Sequence, residues 1–204
     1  TGDATASAKT TITAGTSTSI DTITASGSGA FEVTALTAAS LDSLDASGVT
    51  GIVTLGSASA ALTSATGAVI KTGTGNDVVT MSTTASRAID AGEKTGDSDD
   101  LILVGAMNSG TGVINLASAT DQITNLNGFA DSAIQTGFED VSLAAVTSTG
   151  SFGFQVTANA SGSSITSSDY NDTMILGAGA DIVVLTTTNG VDTVTNFTAG
   201  ADHF

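Results

Sequence analysis

Short turns that end in aspartate recur along this sequence, and they are the residues best suited to chemistry. Thr72–Asp77 and Leu176–Asp181 each contain two glycines and end in Asp, and each leads into three apolar or β-branched residues. Both follow, in degenerate form, the nonapeptide pattern Gly-Gly-x-Gly-x-Asp-x-U-x, in which U is a large apolar residue. Thr95–Asp100 keeps one glycine and Ser167–Asp172 keeps none, although both end in Asp. Gly and Asp hold the same offset again near residues 190 and 200.

This pattern predicts calcium binding. Glycine allows a tightly approached backbone, so that the carbonyl oxygens of the turn and the Asp carboxylate can face a common centre. Calcium takes six to eight oxygen ligands in flexible geometry, and such a turn supplies oxygens of both kinds. The turns of Asp77, Asp100 and Asp181 are the first choices, and the Asp172 turn, with Tyr170 at a glycine position, is the last choice. The candidate metal ligands are Gly73, Gly75, Asp77, Gly96, Asp97, Asp99, Asp100, Asp172, Gly177, Gly179, Asp181, Gly190, Asp192 and Asp202.

The elements that carry these turns are short strands. Apolar runs of strand length alternate with Gly, Ser, Asp and Asn, and Thr and Val are frequent, which favours all-β structure. We expect a parallel β-helix or β-roll over residues 66–204, with few short helices, the clearest around Asn127–Thr136. Residues 1–65 form either the same stacked strands or a sandwich. The U residues expected to point into the core are Val79, Ile102, Met174, Val183 and Val194.

Successive turns of a β-roll lie on alternate edges, and each ion is shared by two turns on the same edge. A single turn therefore supplies only half of a calcium site. Asp172 and Asp181 are therefore expected on opposite edges. Their partners on the same edges are expected near residues 190 and 199. Asp192 lies two residues after the first of these positions, and Asp202 lies three residues after the second. Replacing Asp77 or Asp181 by Ala should lower calcium affinity and leave the metal-free state unchanged.

Composition excludes several function classes. The chain of 204 residues has 20 acidic and 4 basic residues, a net charge of −16, so it lacks the basic clusters that bind nucleic acid or anionic membranes. No apolar run approaches the roughly 20 residues that span a bilayer. One His, expected to be exposed, and no Cys leave no catalytic triad. Acidic pairs such as Glu139-Asp140 point to opposite faces of a strand, so the chain is predicted not to be an enzyme.

The motifs resemble RTX repeats, and the wider phrasing resembles RTX-type bacterial surface-layer proteins. Gly73–Val79 and Asn171–Asp181 look like repeats, and Asp192–Asp202 is similar to the segment that closes RTX arrays, with Asn196 at its second Asp. Leu44–Gly51 and Gly137–Val141 look like surface-layer phrases, and the chain is rich in Thr, Ala, Ser and Gly. The motif matches cover residues 67–104 and 165–204.

The resemblance implies a calcium-binding structural module on the bacterial cell exterior. Such proteins leave the cell through a type I exporter, fold in external calcium and self-associate into a two-dimensional lattice, anchored to the cell surface by a part outside this chain. Two alternatives stay open: a calcium-stiffened segment of a secreted RTX adhesin, and the non-catalytic C-terminal part of an RTX exoenzyme.

Overall fold

A computed structural model describes most of the chain, and the described part is all-β. It covers residues 9–12, 16–17, 20–34, 37–38, 41–56, 63–64, 68–85, 87–92, 96–188 and 190–204. Within these ranges the chain forms 22 strands and no α-helix.

The strands, numbered in chain order, form four sheets. The long sheet contains β1 (Thr10–Ile12), β4 (Phe31–Val33), β7 (Val53–Leu55), β10 (Val78–Ser82), β12 (Asp100–Met107), β17 (Asp140–Ser148), β19 (Ser164–Thr166) and β21 (Ile182–Val184). The five-stranded sheet contains β3 (Thr22–Gly27), β6 (Ser43–Val49), β9 (Val69–Lys71), β11 (Ala88–Asp90) and β16 (Gln135–Thr136). The six-stranded sheet contains β13 (Gly112–Asn115), β14 (Ile123–Leu126), β15 (Phe129–Ala130), β18 (Phe154–Thr157), β20 (Thr173–Ile175) and β22 (Thr193–Thr195). The three-stranded sheet contains β2 (Thr16–Ser17), β5 (Thr37–Ala38) and β8 (Thr63–Ser64).

The strands of the long sheet are parallel and come from successive coils of a solenoid. Each of the first three coils, β1 to β9, visits the long, the three-stranded and the five-stranded sheet, and Thr10 pairs with Phe31, a step of 21 residues. From β17 onward the chain alternates between the long and the six-stranded sheet only. Ser164 then pairs with Ile182, a step of 18 residues, which is two nonapeptides.

A longer coil separates these two regions. Asp100 pairs with Asp140, a step of 40 residues. The extra chain adds β13, β14 and β15, in which β13–β14 and β14–β15 are antiparallel, before β16 returns to the five-stranded sheet. Because β13 also pairs with β18 in parallel, this insertion starts the six-stranded sheet.

The core is a ladder of apolar side chains, one per coil, that points inward from the long sheet. Its in-register members are Ile12, Val33, Leu55, Val79, Leu101, Val141, Ile165 and Val183. All except the half-buried Ile12 are buried. Burying each such side chain stabilises the fold by roughly 1.5–3 kcal/mol.

The stacked parallel solenoid is confirmed, and the described strands of residues 10–64 belong to it rather than to a sandwich. Val79, Met174 and Val183 point into the core as expected, and Val194 is half-buried. Ile102 was the wrong choice, because Leu101 and Leu103 are buried instead.

The helix expected around Asn127–Thr136 is absent from the structure, which has β15 and β16 there. Asn127 adopts a left-handed φ of 56°, and its Oδ1 accepts the N–H groups of Asn108 and Ser109, so it closes a turn rather than capping a helix. The boundary predicted near residue 65 falls at residues 65–67, outside the described residues, and the long sheet has strands on both sides of it.

Candidate functional site

One position recurs in every coil at the corner that leads into the long sheet. Strand register places eight residues at points equivalent to Thr10 of the first coil, and all nine are here called the corner position: Thr10, Phe31, Val53, Asp77, Asp99, Glu139, Ser163, Asp181 and Asp202. Its acidic members, Asp77, Asp99, Glu139, Asp181 and Asp202, are here called the acidic column. All four aspartates of the acidic column are buried.

Asp181 shows how these carboxylates are held. Its Oδ1 accepts the N–H of Ser163 in the preceding coil at 2.7 Å, and its Oδ2 accepts the N–H of Gly177 in its own turn at 2.8 Å. Its own N–H donates to Oδ1 of Asp202 in the next coil at 3.0 Å. The carboxylate therefore closes its own turn and joins it to the neighbouring coil, which satisfies backbone donors that burial removes from water.

Asp77 is bonded in the same way. Its Oδ1 accepts the N–H of Val53 at 2.6 Å, and its Oδ2 accepts the N–H of Gly73 at 2.9 Å. Burial raises the pKa of Asp77, and the charge of Asp97 raises it further, while the bonds from Val53, Thr72 and Gly73 oppose this shift. The ionised form of Asp77 is thus stabilised by backbone and hydroxyl donors, whereas the nearby charge is another carboxylate.

Asp99 departs from this arrangement. Its Oδ1 accepts the N–H of Asp77 at 2.6 Å, and its own N–H donates to Oε2 of Glu139 at 2.9 Å. Its Oδ2 is buried and has no hydrogen-bond partner in the described part of the chain. Burial, together with the charges of Asp77, Glu139 and Asp97, raises the pKa of Asp99 to about 8. This oxygen is the position in the acidic column that a cation would best satisfy.

Asp100 lies one residue out of the expected register. It is the first residue of β12 and pairs with Val78 and with Asp140, so Asp99 rather than Asp100 is equivalent to Asp77. Burial and then the charge of Asp140 raise the pKa of Asp100. With a single glycine in this turn, the sequence did not show which of its acids occupies the corner, whereas pairing with β10 decides it.

A second pair of carboxylates, Asp172 and Asp192, lies at the edge that leads into the six-stranded sheet. Asp172 Oδ1 accepts the N–H of Phe154, and its Oδ2 accepts the N–H of Ser168, both at 2.7 Å. The N–H of Asp172 donates to Oδ1 of Asp192 at 2.8 Å. Burial raises the pKa of Asp172, the bonds from Phe154 and Ser168 oppose this, and the charge of Asp192 adds to it.

The expected edge assignment is confirmed. Asp172 is bonded to Asp192 on one edge, and Asp181 is bonded to Asp202 on the other. The bonds from Asp181 and Thr198 lower the pKa of Asp202. The ranking of the Asp172 turn as the last choice for metal stays a prediction.

The motif glycines lie where neighbouring coils come close together. A Cβ on Gly75 would lie 2.5 Å from the carbonyl oxygen of Gly51 in the adjacent coil, so a side chain cannot be added without moving the backbone. Gly96 has a different reason, a left-handed φ of 89° with open space beside it. Close backbone approach also applies at the remaining predicted glycines, Gly73, Gly177, Gly179 and Gly190.

Sequence reasoning missed Glu139 and Asp140 as members of this site. Glu139 accepts from Asp99, whereas Asp140 Oδ1 accepts the N–H of Ser164 and its Oδ2 accepts the hydroxyl of Ser98, both at 2.5 Å. The 40-residue coil hides their relation to Asp99 and Asp100. The signal was the phrase Gly137–Val141, in which an acidic pair precedes a core residue, as it does at Asp99 and Asp100.

The fit to calcium differs along the site. Both carboxylate oxygens of Asp77, Asp172, Asp181 and Asp202 accept backbone N–H groups, so these residues hold the coils together without a metal. Asp99 Oδ2 fits a cation. Among the described residues, no three Asp, Glu, His or Cys side chains converge on a common point, so further ligands there would be backbone or water oxygens.

The remaining sequence expectations concern isolated residues. Phe138, within the phrase Gly137–Val141, is fully buried in the core, and the single His, His203, is exposed as expected. No described helix could cross a membrane.

No protein-family model matches the chain, and comparisons with curated proteins and with solved structures give no significant match.

Proposed function

We propose that this chain is a non-enzymatic structural module of a bacterial surface layer, which folds and assembles on the cell exterior in calcium. The observation that carries the proposal is the acidic column, in which buried Asp77 and Asp99 and half-buried Glu139 occupy the corner position in three successive coils. The charges that shift the pKa values of Asp77 and Asp99 all come from other carboxylates. The ion pairs of Lys9 with Glu32 and of Lys71 with Asp90 include no member of the column.

The charge distribution along the sequence supports a need for cations. Residues 96–204 contain no Lys or Arg and twelve acids, at positions 97, 99, 100, 121, 131, 139, 140, 169, 172, 181, 192 and 202. A buried carboxylate oxygen that lacks a hydrogen-bond donor favours either uptake of a proton or binding of a cation. In the calcium-poor cytosol the compact state is repelled by its own charge, and external calcium, bound only by the folded chain, would favour it by mass action.

Within the acidic column, Asp99 is the residue proposed to contact calcium directly, with Asp97 and Glu139 contributing charge. When bound, the ion would supply positive charge to the unpaired Oδ2 and neutralise the neighbouring carboxylates. Asp77 and Asp181 contribute differently, since they close the turns and align the coils on which the ion depends.

The unbroken parallel stack of the long sheet favours a second candidate, the calcium-stiffened segment of an adhesin. Every coil from β1 to β21 is joined to the next by strand pairing, which suits a stiff spacer. The two candidates differ in assembly: a surface-layer module forms ordered particles in calcium, whereas a spacer stays monomeric.

The test is a calcium titration of chelated protein, followed by circular dichroism and light scattering. We expect wild type to gain stability at roughly 10⁻⁴–10⁻³ M calcium, the range of extracellular sites, and then to form large ordered particles. Asp99→Asn should need several-fold more calcium. The matched control is Asp42→Asn, an exposed acid outside the column, which should titrate like wild type.

Each part of the proposal has its own contrary result. No response of wild type to calcium would remove the calcium function. Equal titrations of wild type and Asp99→Asn would move the ion away from Asp99. Folding without particle growth would favour the adhesin segment over the surface-layer module.

A further inference from the structure

The outer face of the five-stranded sheet carries a groove that the calcium site does not use. The groove has a volume of about 300 Å³ and lies across β9, β11 and β16. Val69 and Ile134 expose about half of their surface there, 42% and 57%, although both are large apolar residues. Exposed apolar side chains that line one groove indicate a contact surface rather than scattered exposure.

The charges on this face are mixed, unlike those of the chain as a whole. Lys71 pairs in register with Asp45 on one side and with Asp90 on the other. The Lys71 Nζ to Asp90 Oδ2 distance is 4.0 Å, the long limit of an ion pair, and both side chains are about half exposed. Two copies that each carry −16 repel one another, so contact is least costly at a face where both signs of charge are present.

Strand register makes this face complementary to itself. Val69 lies beside Ala88, and Lys71 lies beside Asp90, on adjacent strands. Consider a second copy laid face to face about a twofold axis that runs parallel to the strands, between β9 and β11. That operation places Lys71 of each copy opposite Asp90 of the other, and the larger Val69 opposite the smaller Ala88.

The next residues outward also match. Ile134 is aligned with Ala88, because Ile89 pairs with Gln135, and the axis places Ile134 opposite Ser43 of the other copy. Thr136 pairs with Asp90, and the same operation places the Thr136 hydroxyl opposite the Asp45 carboxylate. A large side chain thus faces a small one, and a hydrogen-bond donor faces an acceptor.

We propose that the outer face of the five-stranded sheet is a self-association surface, on which a second copy of this chain docks about a twofold axis between β9 and β11. The proposal rests on the self-association in the proposed function and names the surface that performs it. The face is narrow, so the contact is weak in isolation and is strengthened by repetition in a lattice.

The charge pair supplies the sharpest test, by mixing two variants. In dimers of Lys71→Glu alone two carboxylates face each other, and in dimers of Asp90→Lys alone two ammonium groups do, so each variant should dimerise at least tenfold more weakly than wild type. Mixed together, the two variants place opposite charges at both contacts and should form heterodimers. Sedimentation velocity in calcium measures this, with Gln155→Lys and Thr173→Glu on the six-stranded sheet as the matched control pair.

Engineered cysteines give an independent readout, because the chain has none of its own. Val69→Cys protein mixed with Ala88→Cys protein should oxidise mainly to the mixed disulfide dimer, and Gln155→Cys should cross-link far less. Association of wild type that neither charge variant weakens, or a mixture no stronger than its components, overturns this surface but leaves the proposed function intact. Wild type that stays monomeric in calcium overturns both.

Discussion

The N-terminal and C-terminal coils solve the same corner in two different ways. In the N-terminal region the corner position holds Phe31 and Val53 in two successive coils, and both side chains are buried and apolar. In the two-sheet coils it holds Ser163, Asp181 and Asp202, also buried but polar. The corners at Phe31 and Val53 are thus filled with hydrocarbon, whereas the corners of the two-sheet coils are filled with a polar side chain, in two of three cases a carboxylate that accepts backbone N–H groups.

This difference indicates that the primary role of the aspartates is structural, because their carboxylates stabilise tight turns. In an 18-residue coil the turn is short, and the N–H four residues before the corner points inward, as Gly177 shows by donating to Asp181. Four residues before the corner residue Val53 lies Val49, which belongs to strand β6 rather than to a turn. A buried carboxylate is tolerable only where the turn presents such a donor, as Gly73 also does for Asp77.

The largest effect is expected from placing a carboxylate at an apolar corner position of the N-terminal region. Val53→Asp would bury a carboxylate without the donor from the turn and next to Asp77, whose Oδ1 already accepts the N–H of Val53. We expect a loss of about 3–5 kcal/mol in the free energy of unfolding, measured by urea denaturation. Thr54→Asp, at the neighbouring half-buried position, should cost less than about 1 kcal/mol. A stable Val53→Asp variant would show that the corner accepts a charge in either region.

A smaller loss is expected from removing a carboxylate in the C-terminal region. Asp181→Ala leaves the N–H groups of Ser163 and Gly177 without their acceptor, so the metal-free protein should lose about 2–4 kcal/mol. This revises the sequence expectation that the metal-free state is unchanged. The control is Asp45→Ala, whose carboxylate accepts the N–H and the hydroxyl of nearby Ser47 and whose loss should leave the stability close to that of wild type. Urea denaturation in chelator that shows equal stability for Asp181→Ala and wild type would restore the original expectation.

The smallest effect is expected in the pH dependence of the free energy of unfolding, and it comes from Asp99, which lies at the boundary between the two regions. Its folded pKa of about 8 is above the usual 3.8, so between these values the folded state binds a proton that the unfolded state releases. Metal-free stability should therefore fall as pH rises from 5 to 8, by at most about 1.4 kcal/mol per pH unit for one proton.

Asp99→Asn should flatten this slope in denaturation curves recorded in chelator at each pH. Asp202→Asn is the control, because its lowered pKa places its titration below this range. Identical slopes for wild type and Asp99→Asn would show that Asp99 is not the proton-binding group.

Periodicity made much of the C-terminal region predictable. Val156, Ile165, Met174 and Val183 stand nine residues apart and are all buried, and the glycine-containing turns between them leave few other ways to stack. The same spacing placed Asp172 and Asp181 on opposite edges. Where the period was broken the prediction slipped, by one residue at Ile102, and at Glu139 it was lost behind the 40-residue coil.

By itself the sequence determined that residues 66–204 form a β-solenoid with acidic turns, because the spacing of apolar residues and the types of turn residues are local properties of the sequence. It also determined the charge imbalance, with every Lys and Arg before residue 96. Only the tertiary structure decided which acid occupies the corner, how many sheets each coil visits, and that most of these carboxylates accept backbone N–H groups. Those outcomes depend on the register between strands that are about 20 or more residues apart in sequence. The residues of a single turn do not determine that register.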